Sequence, residues 1–314
     1  MEGVIDHTMR ELLTGIGGID RCVTEFVRVT DRLLPPRVFR RLCPELDQGG
    51  RTRHGTPVYV QILGGQPSVV ADNAARAAAL GAPGIDLNFG CPAKTVNRSD
   101  GGAVLLREPQ RVHDIAAATR RALPAPVPLS VKVRLGFEDR SAFAEVIDAI
   151  TAAGASEIIV HARTRRDGYR PPAYWSEIAG VRARTPLPLI ANGEIWSPAD
   201  ALRCREESGS DDLMLGRGAL CRPDLPRLVR SLDRDEPASP LRWEEVQPLL
   251  RHFFEVTLER HGPRHAGNPL KQWLVYLKVY YLEAALLFER VKRLRDVDSL
   301  RAALSRDRQH DVAA

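Results

Sequence analysis

Seven short runs of β-branched and apolar residues recur along residues 20–235 of this chain, and most are followed by a stretch with helical spacing. The runs are CVTEFVRV (22–29), VYVQIL (58–63), GIDLNFG (84–90), LSVKVRL (129–135), EIIVHAR (157–163), PLIANGE (188–194) and DLMLGRG (212–218). Intervening stretches such as SVVADNAARAAAL and RSAFAEVIDAITAAG carry the helical period, and the second closes on a glycine that stops a helix. Strand–helix units repeated at this length predict a parallel sheet, either a (β/α)8 barrel or a doubly wound sheet.

Two features favour the barrel. Polar residues stand at the C-terminal ends of nearly every run: Glu25 and Arg28, Gln61, Asn88 and Cys91, Lys132 and Arg134, His161 and Arg163, Asn192 and Glu194, and Arg217. Barrel active sites are assembled on that rim. No G-x-G-x-x-G opens a strand–helix unit near the front of the chain, which weakens the dinucleotide-binding alternative. A closed barrel needs eight strands. The chain opens on MEGV, which has the character of a loop after a strand, so the expected fold is an α/β (β/α)8 TIM barrel with its first strand truncated and a natural start several residues upstream. After the linker DRDEPASP (233–240) the strands cease, and two long amphipathic patterns predict a small all-helical C-terminal domain. The expected divisions are a barrel over 1–236, a helical domain over 241–305 and a frayed tail over 306–314.

Five scattered cysteines, none in a C-x-x-C pair, exclude a disulfide framework and a structural zinc site, so no metal centre is expected. The N-terminus lacks a signal peptide, and no apolar run approaches the roughly 18 residues of a membrane span. A soluble cytoplasmic protein with no membrane contact and no obligate protein partner is expected. Net charge is +5, too mild to establish a nucleic-acid partner, but Lys271, Lys278, Arg290, Lys292, Arg293 and Arg295 cluster against only Glu283 and Glu289.

In barrels the loops after the last two strands commonly bind phosphate, and Gly193, Gly216 and Arg217 have the chemistry for it. Lys132 alternates with valines, which directs it inward with Arg134; there it must meet an anion or an electron-rich ring such as an isoalloxazine edge, or else pair with Glu157 or Asp86. His161 is placed to contact a ring or a phosphate. Cys91, between Gly90 and Pro92, begins a polar, cation-rich loop with Lys94, Asn97, Arg98, Gly101 and Gly102. A thiol of intrinsic pKa about 8.5 is mostly protonated at neutral pH and can surrender its proton. No local histidine activates it as a nucleophile, so general acid is the favoured role.

LNFGCPAKTVNRSDGGAVLL (87–106) resembles the active-site loop of the tRNA-dihydrouridine synthases. VQILGGQP, SVKVRLGF, IVHARTRRDGY, LIANGEI and MLGRGAL follow in that family's order across almost the whole chain. TEFVRV, NGEIW and KQWLVYL are similar to the bacterial branch that acts on uridine 16 of the D-loop. The resemblance implies FMN held by Met1, Glu2 and Gly3, Gln61, Lys132, His161, Asn192, Gly193 and Glu194, and Gly216 with Arg217. It implies NADPH as reductant, hydride delivery to C6 of a flipped-out uracil, and Cys91 protonating C5. Arg28, Asn88 and Arg134, with Lys271, Tyr276 and Lys292 of the helical domain, would hold the tRNA. An FMN barrel acting on a small pyrimidine and a non-catalytic tRNA-binding protein stand as alternatives.

Overall fold

A computed structural model describes residues 3–234 and 238–305. Packing divides them into a sheet-based unit, residues 20–216, and a helical unit, residues 3–19 with 217–305.

The sheet unit contains β1 Cys22–Val23, β2 Val27–Arg28, β3 Val58–Leu63, β4 Ile85–Asn88, β5 Leu129–Arg134, β6 Glu157–His161, β7 Leu189–Asn192 and β8 Leu213–Met214. All pairings are parallel, and β1 and β2 both lie beside β3, so the eight segments fill seven positions from β1/β2 to β8. The run 22–29 is interrupted for a physical reason. Val23 pairs with Tyr59 but Val27 pairs with Ile62, so the first strand carries one residue more than its partner, a bulge. Within the bulge Thr24 Oγ1 accepts the Gln61 N–H at 3.0 Å, taking the place of a ladder carbonyl.

Side chains alternate across the sheet. Val58, Val60, Ile62, Ile85, Leu87, Val131, Val133, Ile158 and Val160 are buried on one face. The other face carries the sheet's polar residues, along with Ile159 and Ile190. Register sets Gln61 beside Asp86, Asp86 beside Ser130, Asn88 beside Lys132, Arg134 beside His161, and His161 beside Asn192. Helices Pro67–Ala79, Pro109–Ala122, Phe143–Ala152 and Pro198–Ser208 connect the strands, three of them opening on proline at the first turn.

The helical unit begins with His7–Ile16, an element the strand–helix pattern does not announce. Asp6 caps it by accepting from Met9 N at 2.9 Å, and Met9, Leu12 and Leu13 join the core of Phe253, Phe254, Leu270, Trp273 and Leu274. That packing explains why residues 3–19 group with the C-terminal helices, and why the division falls at 216/217 instead of in the 233–240 linker. Helix Trp243–His261 follows; the long pattern beyond it is broken into Gly267–Leu277, Leu282–Val291 and Val297–Ser305. Trp273 Nε1 donates to Leu220 O at 3.1 Å and its ring meets Phe253 edge-on. Among the described residues no helix is long and apolar enough to cross a membrane. Met1, Glu2 and the tail 306–314 lie outside the described residues.

Candidate active site

The polar face of the sheet converges on the turn after β4. Asp86, fully buried, accepts from Gln61 Nε2 and from Ser130 Oγ, each at 2.6 Å. Gln61 Oε1 accepts from Asn88 Nδ2 at 2.7 Å, and Asn88 Oδ1 accepts from the backbone N–H of Gly90 at 2.9 Å. Cys91 follows immediately and is half-buried.

The loop beyond Cys91 is tied back on it. Asn97 Nδ2 donates to Cys91 O at 3.0 Å and to Ala93 O at 2.7 Å, while its Oδ1 accepts from Val104 N at 2.7 Å. Ala103 N donates to Cys91 O at 3.1 Å. Gly102 is left-handed, with φ of 71°. A Cβ there would stand 2.9 Å from Cys91 O and 3.1 Å from Cys91 Cβ. Gly102→Ala is therefore expected to cost roughly 2–4 kcal/mol, combining left-handed strain with overpacking. Gly49, with φ of 72° and nothing within 4 Å, is the control: Gly49→Ala carries only the backbone part, about 1–2 kcal/mol. Denaturant midpoints of the two variants separate contact from strain.

Arg134, the second inward cation of β5, is 2% exposed. Its Nε donates to Gly90 O at 2.8 Å and its Nη1 to Thr164 O at 3.0 Å and Gly168 O at 2.9 Å. It thus clamps the Cys91 turn to the loop after β6. Its Nε and Nη1 are given to three backbone carbonyls, which makes Arg134 a brace of the turn. The exposed ring of Tyr169 lies over it, 5.3 Å from the guanidinium carbon, and 6.0 Å from His161. Arg28, by contrast, is exposed. Its Nη2 donates to Thr95 O at 3.2 Å and Ser99 Oγ at 2.7 Å, and it borders a cavity of about 250 Å³.

Lys132 donates to Asn192 Oδ1 at 3.1 Å, and Asn192 Nδ2 donates to Met214 O at 2.7 Å. Asp86 acts on Lys132 through its charge, which opposes the downward pull of burial and of Arg134; together they leave the ammonium at about 8. Burial lifts Asp86 to about 6, against hydrogen bonds from Ser130 and Gln61 and the charges of Lys132 and Arg21. Glu157 pairs instead with Arg21, at 2.5 Å. Gly193 has φ of 114°, and a Cβ on it would lie 2.7 Å from His161 Cδ2, so the chain passes against the imidazole. Its carbonyl accepts from Trp175 Nε1 at 2.9 Å. Glu194, also left-handed, accepts from Arg163, which is wholly buried.

Cys91, Gln61, Asn88, Lys132, Arg134, His161, Asn192, Gly193 and Glu194 therefore share one end of one sheet. Gly216 closes the sheet unit, whereas Arg217 opens the short helix Arg217–Cys221 of the helical unit, and Gly3 belongs to that unit too. In the helical unit Lys271 Nζ donates to Leu294 O at 2.6 Å, Tyr276 is half-buried against the core, and Lys292 pairs with Glu289. Sequence reasoning named Asp86 only as a partner for Lys132, Asn97 only as part of the Cys91 loop and Arg163 only as a rim residue, and gave Tyr169 no role. Alternation puts Asp86 on the face of Asn88; nothing local marks Tyr169.

A family profile described as dihydrouridine synthase matches residues 1–304. A tRNA-dihydrouridine(16) synthase of Aquipseudomonas alcaligenes is 50% identical over 300 residues, covering 96% of this chain and 95% of its own. Another, from Pseudomonas syringae pv. tomato, is 47% identical over 304 residues, covering 97% and 96%. In fold, the old yellow enzyme homologue of Zymomonas mobilis superposes with a TM-score of 0.50 at 13% identity, covering 77% of this chain and 87% of that one.

Proposed function

Because the chain belongs to the dihydrouridine synthase family, we propose that it reduces the C5–C6 bond of uridine 16 in the D-loop of tRNA, with FMN as its flavin, NADPH as reductant and Cys91 as proton donor. The observation that carries this reading is the Cys91 turn: a half-buried thiol on a braced loop, on the rim that also bears Lys132.

The rim fits a flavin. Lys132 offers a half-buried ammonium, and only one of its three N–H groups goes to Asn192, so a carbonyl or an anionic ring edge has a partner there. Gly193 lets the main chain lie flat beside His161, where any Cβ would intrude. Gln61, Asn192 and Glu194 complete the set that would hold the cofactor. Bound there, a flavin supplies the hydride that C6 of the uracil receives. Cys91 supplies the proton: the S–H bond breaks as the C5–H bond forms, and the thiolate left behind feels the charge of Arg134. The exposed face of Tyr169 suits stacking on a base, and Arg28 suits a phosphate.

The test is a visible spectrum of the purified protein. Flavin bands bleached by NADPH and restored by unmodified tRNA, but not by free uridine, support the proposal. Restoration by free uridine at the same rate moves the substrate to a small pyrimidine. A protein that is colourless and takes up no FMN overturns the flavin reading.

A further inference from the structure

Asp86 lies one layer beneath the rim, fully buried on β4, and the chemistry proposed above gives it nothing to do. It ends a chain of hydrogen bonds in which every polarity is forced. An ionised carboxylate only accepts, so Gln61 must turn its NH2 toward Asp86 Oδ2. That leaves Gln61 Oε1 facing Asn88, which must present its own NH2. Asn88 then has only its carbonyl oxygen to offer Gly90, and a backbone N–H can only donate. Reversed at either amide, the chain would set two donors face to face at one link and two acceptors at another.

We infer that Asp86 is a positioning residue: it fixes the direction of the Gln61–Asn88 relay and so holds the Gly90–Cys91 turn that presents the thiol. This rests on the proposed role of Cys91. Asp86 is ionised at neutral pH, since its carboxyl titrates near 6, and Lys132 and Arg21 are the cations that face it. The second carboxylate oxygen takes Ser130 Oγ, a hydroxyl that can donate or accept and also lies 3.4 Å from Ile85 O.

That difference between the two oxygens supplies the experiment. Asp86→Asn can place its oxygen toward Gln61 and its NH2 toward Ser130, so it removes the charge but keeps the relay. Asp86→Leu removes both. The readout is the rate of iodoacetamide alkylation of Cys91 in the native full chain, by peptide mass spectrometry, relative to Cys22. Cys22 is the other half-buried cysteine, while Cys43, Cys204 and Cys221 are buried. Asp86→Leu is expected to raise the Cys91-to-Cys22 ratio about tenfold, the factor that one net hydrogen bond of about 1.4 kcal/mol represents, while Asp86→Asn stays within about twofold of the parent. Should Asp86→Leu not fold, Gln61→Leu cuts the same relay one link further on and carries the same expectation. An unchanged ratio in the Leu variant that folds overturns the inference, as does an Asp86→Asn ratio equal to that of Asp86→Leu. Alkylation needs neither flavin nor RNA, so this result stands or falls apart from the proposed reaction.

Discussion

Cys91→Ala is expected to lower the rate of uridine reduction by roughly 10²–10⁴-fold, the usual contribution of a positioned general acid. Flavin content and tRNA affinity should hold, because the bonds from Asn97, Ala103 and Arg134 that brace this loop run to the carbonyls of Cys91, Ala93 and Gly90, which the substitution leaves in place. Cys91→Ser keeps the size and the polarity but offers a far weaker acid, so it should recover little of the loss. Single-turnover reoxidation of the reduced enzyme by tRNA separates the proton-transfer step from binding and from flavin reduction. A fall in tRNA affinity that matches the fall in rate would make Cys91 a substrate contact.

Lys132→Met should weaken flavin binding about 10–100-fold, since hydrogen bonds to a charged group contribute about 1.5–3 kcal/mol. It also leaves Asp86 without its main counter-charge and Asn192 Oδ1 without its donor. The same cation gives the native protein a pH dependence. Below about 8 Lys132 is charged, so flavin affinity falls as pH rises through that value. Below about 6 Asp86 becomes neutral, and Lys132 loses its counter-charge. Neutralising Asp86 leaves the Lys132 charge unopposed toward an anionic ring edge, so affinity is expected to stay high below about 8.

Stability follows a different sign at each group. The Asp86 carboxyl is harder to ionise folded than at its ordinary 3.8, so its contribution is full at acid pH and is lost as pH rises to about 6. Lys132 is easier to deprotonate folded than at its ordinary 10.5, so its burial costs stability while it is charged, and that cost is relieved as pH rises from about 8. Flavin fluorescence titrations and denaturant midpoints across pH 5–10 check both. In Lys132→Met the fall in affinity above about 8 should disappear.

The period-2 pattern made five of the strand positions legible to within two residues at each end, because apolar residues alternate with Gln61, Asn88, Lys132 and His161. The first position was legible as a run but not as a bulge. Its extra residue is defined only by register against β3, and Thr24 looks like any β-branched strand residue until its hydroxyl takes the Gln61 N–H. The last run was overextended, since Gly216 to Gly218 leaves the strand for a helical turn. Helix His7–Ile16 has its cap at Asp6 and apolar residues at 9, 12, 13 and 16, a pattern easily overlooked beside the longer repeats.

In the site, Cys91 was legible from its glycine–proline turn and Lys132 from alternation. The partners of Arg134 were not: they are main-chain carbonyls from loops up to 44 residues distant, and a carbonyl has no letter in the sequence. For the same reason the bond that Lys271 makes to Leu294 O had no sign in the sequence, where Lys271 reads as one cation of a basic cluster.

The most direct measurement of the central claim is mass spectrometry of nuclease fragments of tRNA isolated from a strain lacking this activity, after incubation with the purified protein, FMN and NADPH. The account predicts that uridine 16 gains two hydrogens with the native protein and remains uridine over the same interval with Cys91→Ala. Dihydrouridine formed at an undiminished rate without the thiol, or no dihydrouridine at all from a flavin-loaded native protein, would contradict it.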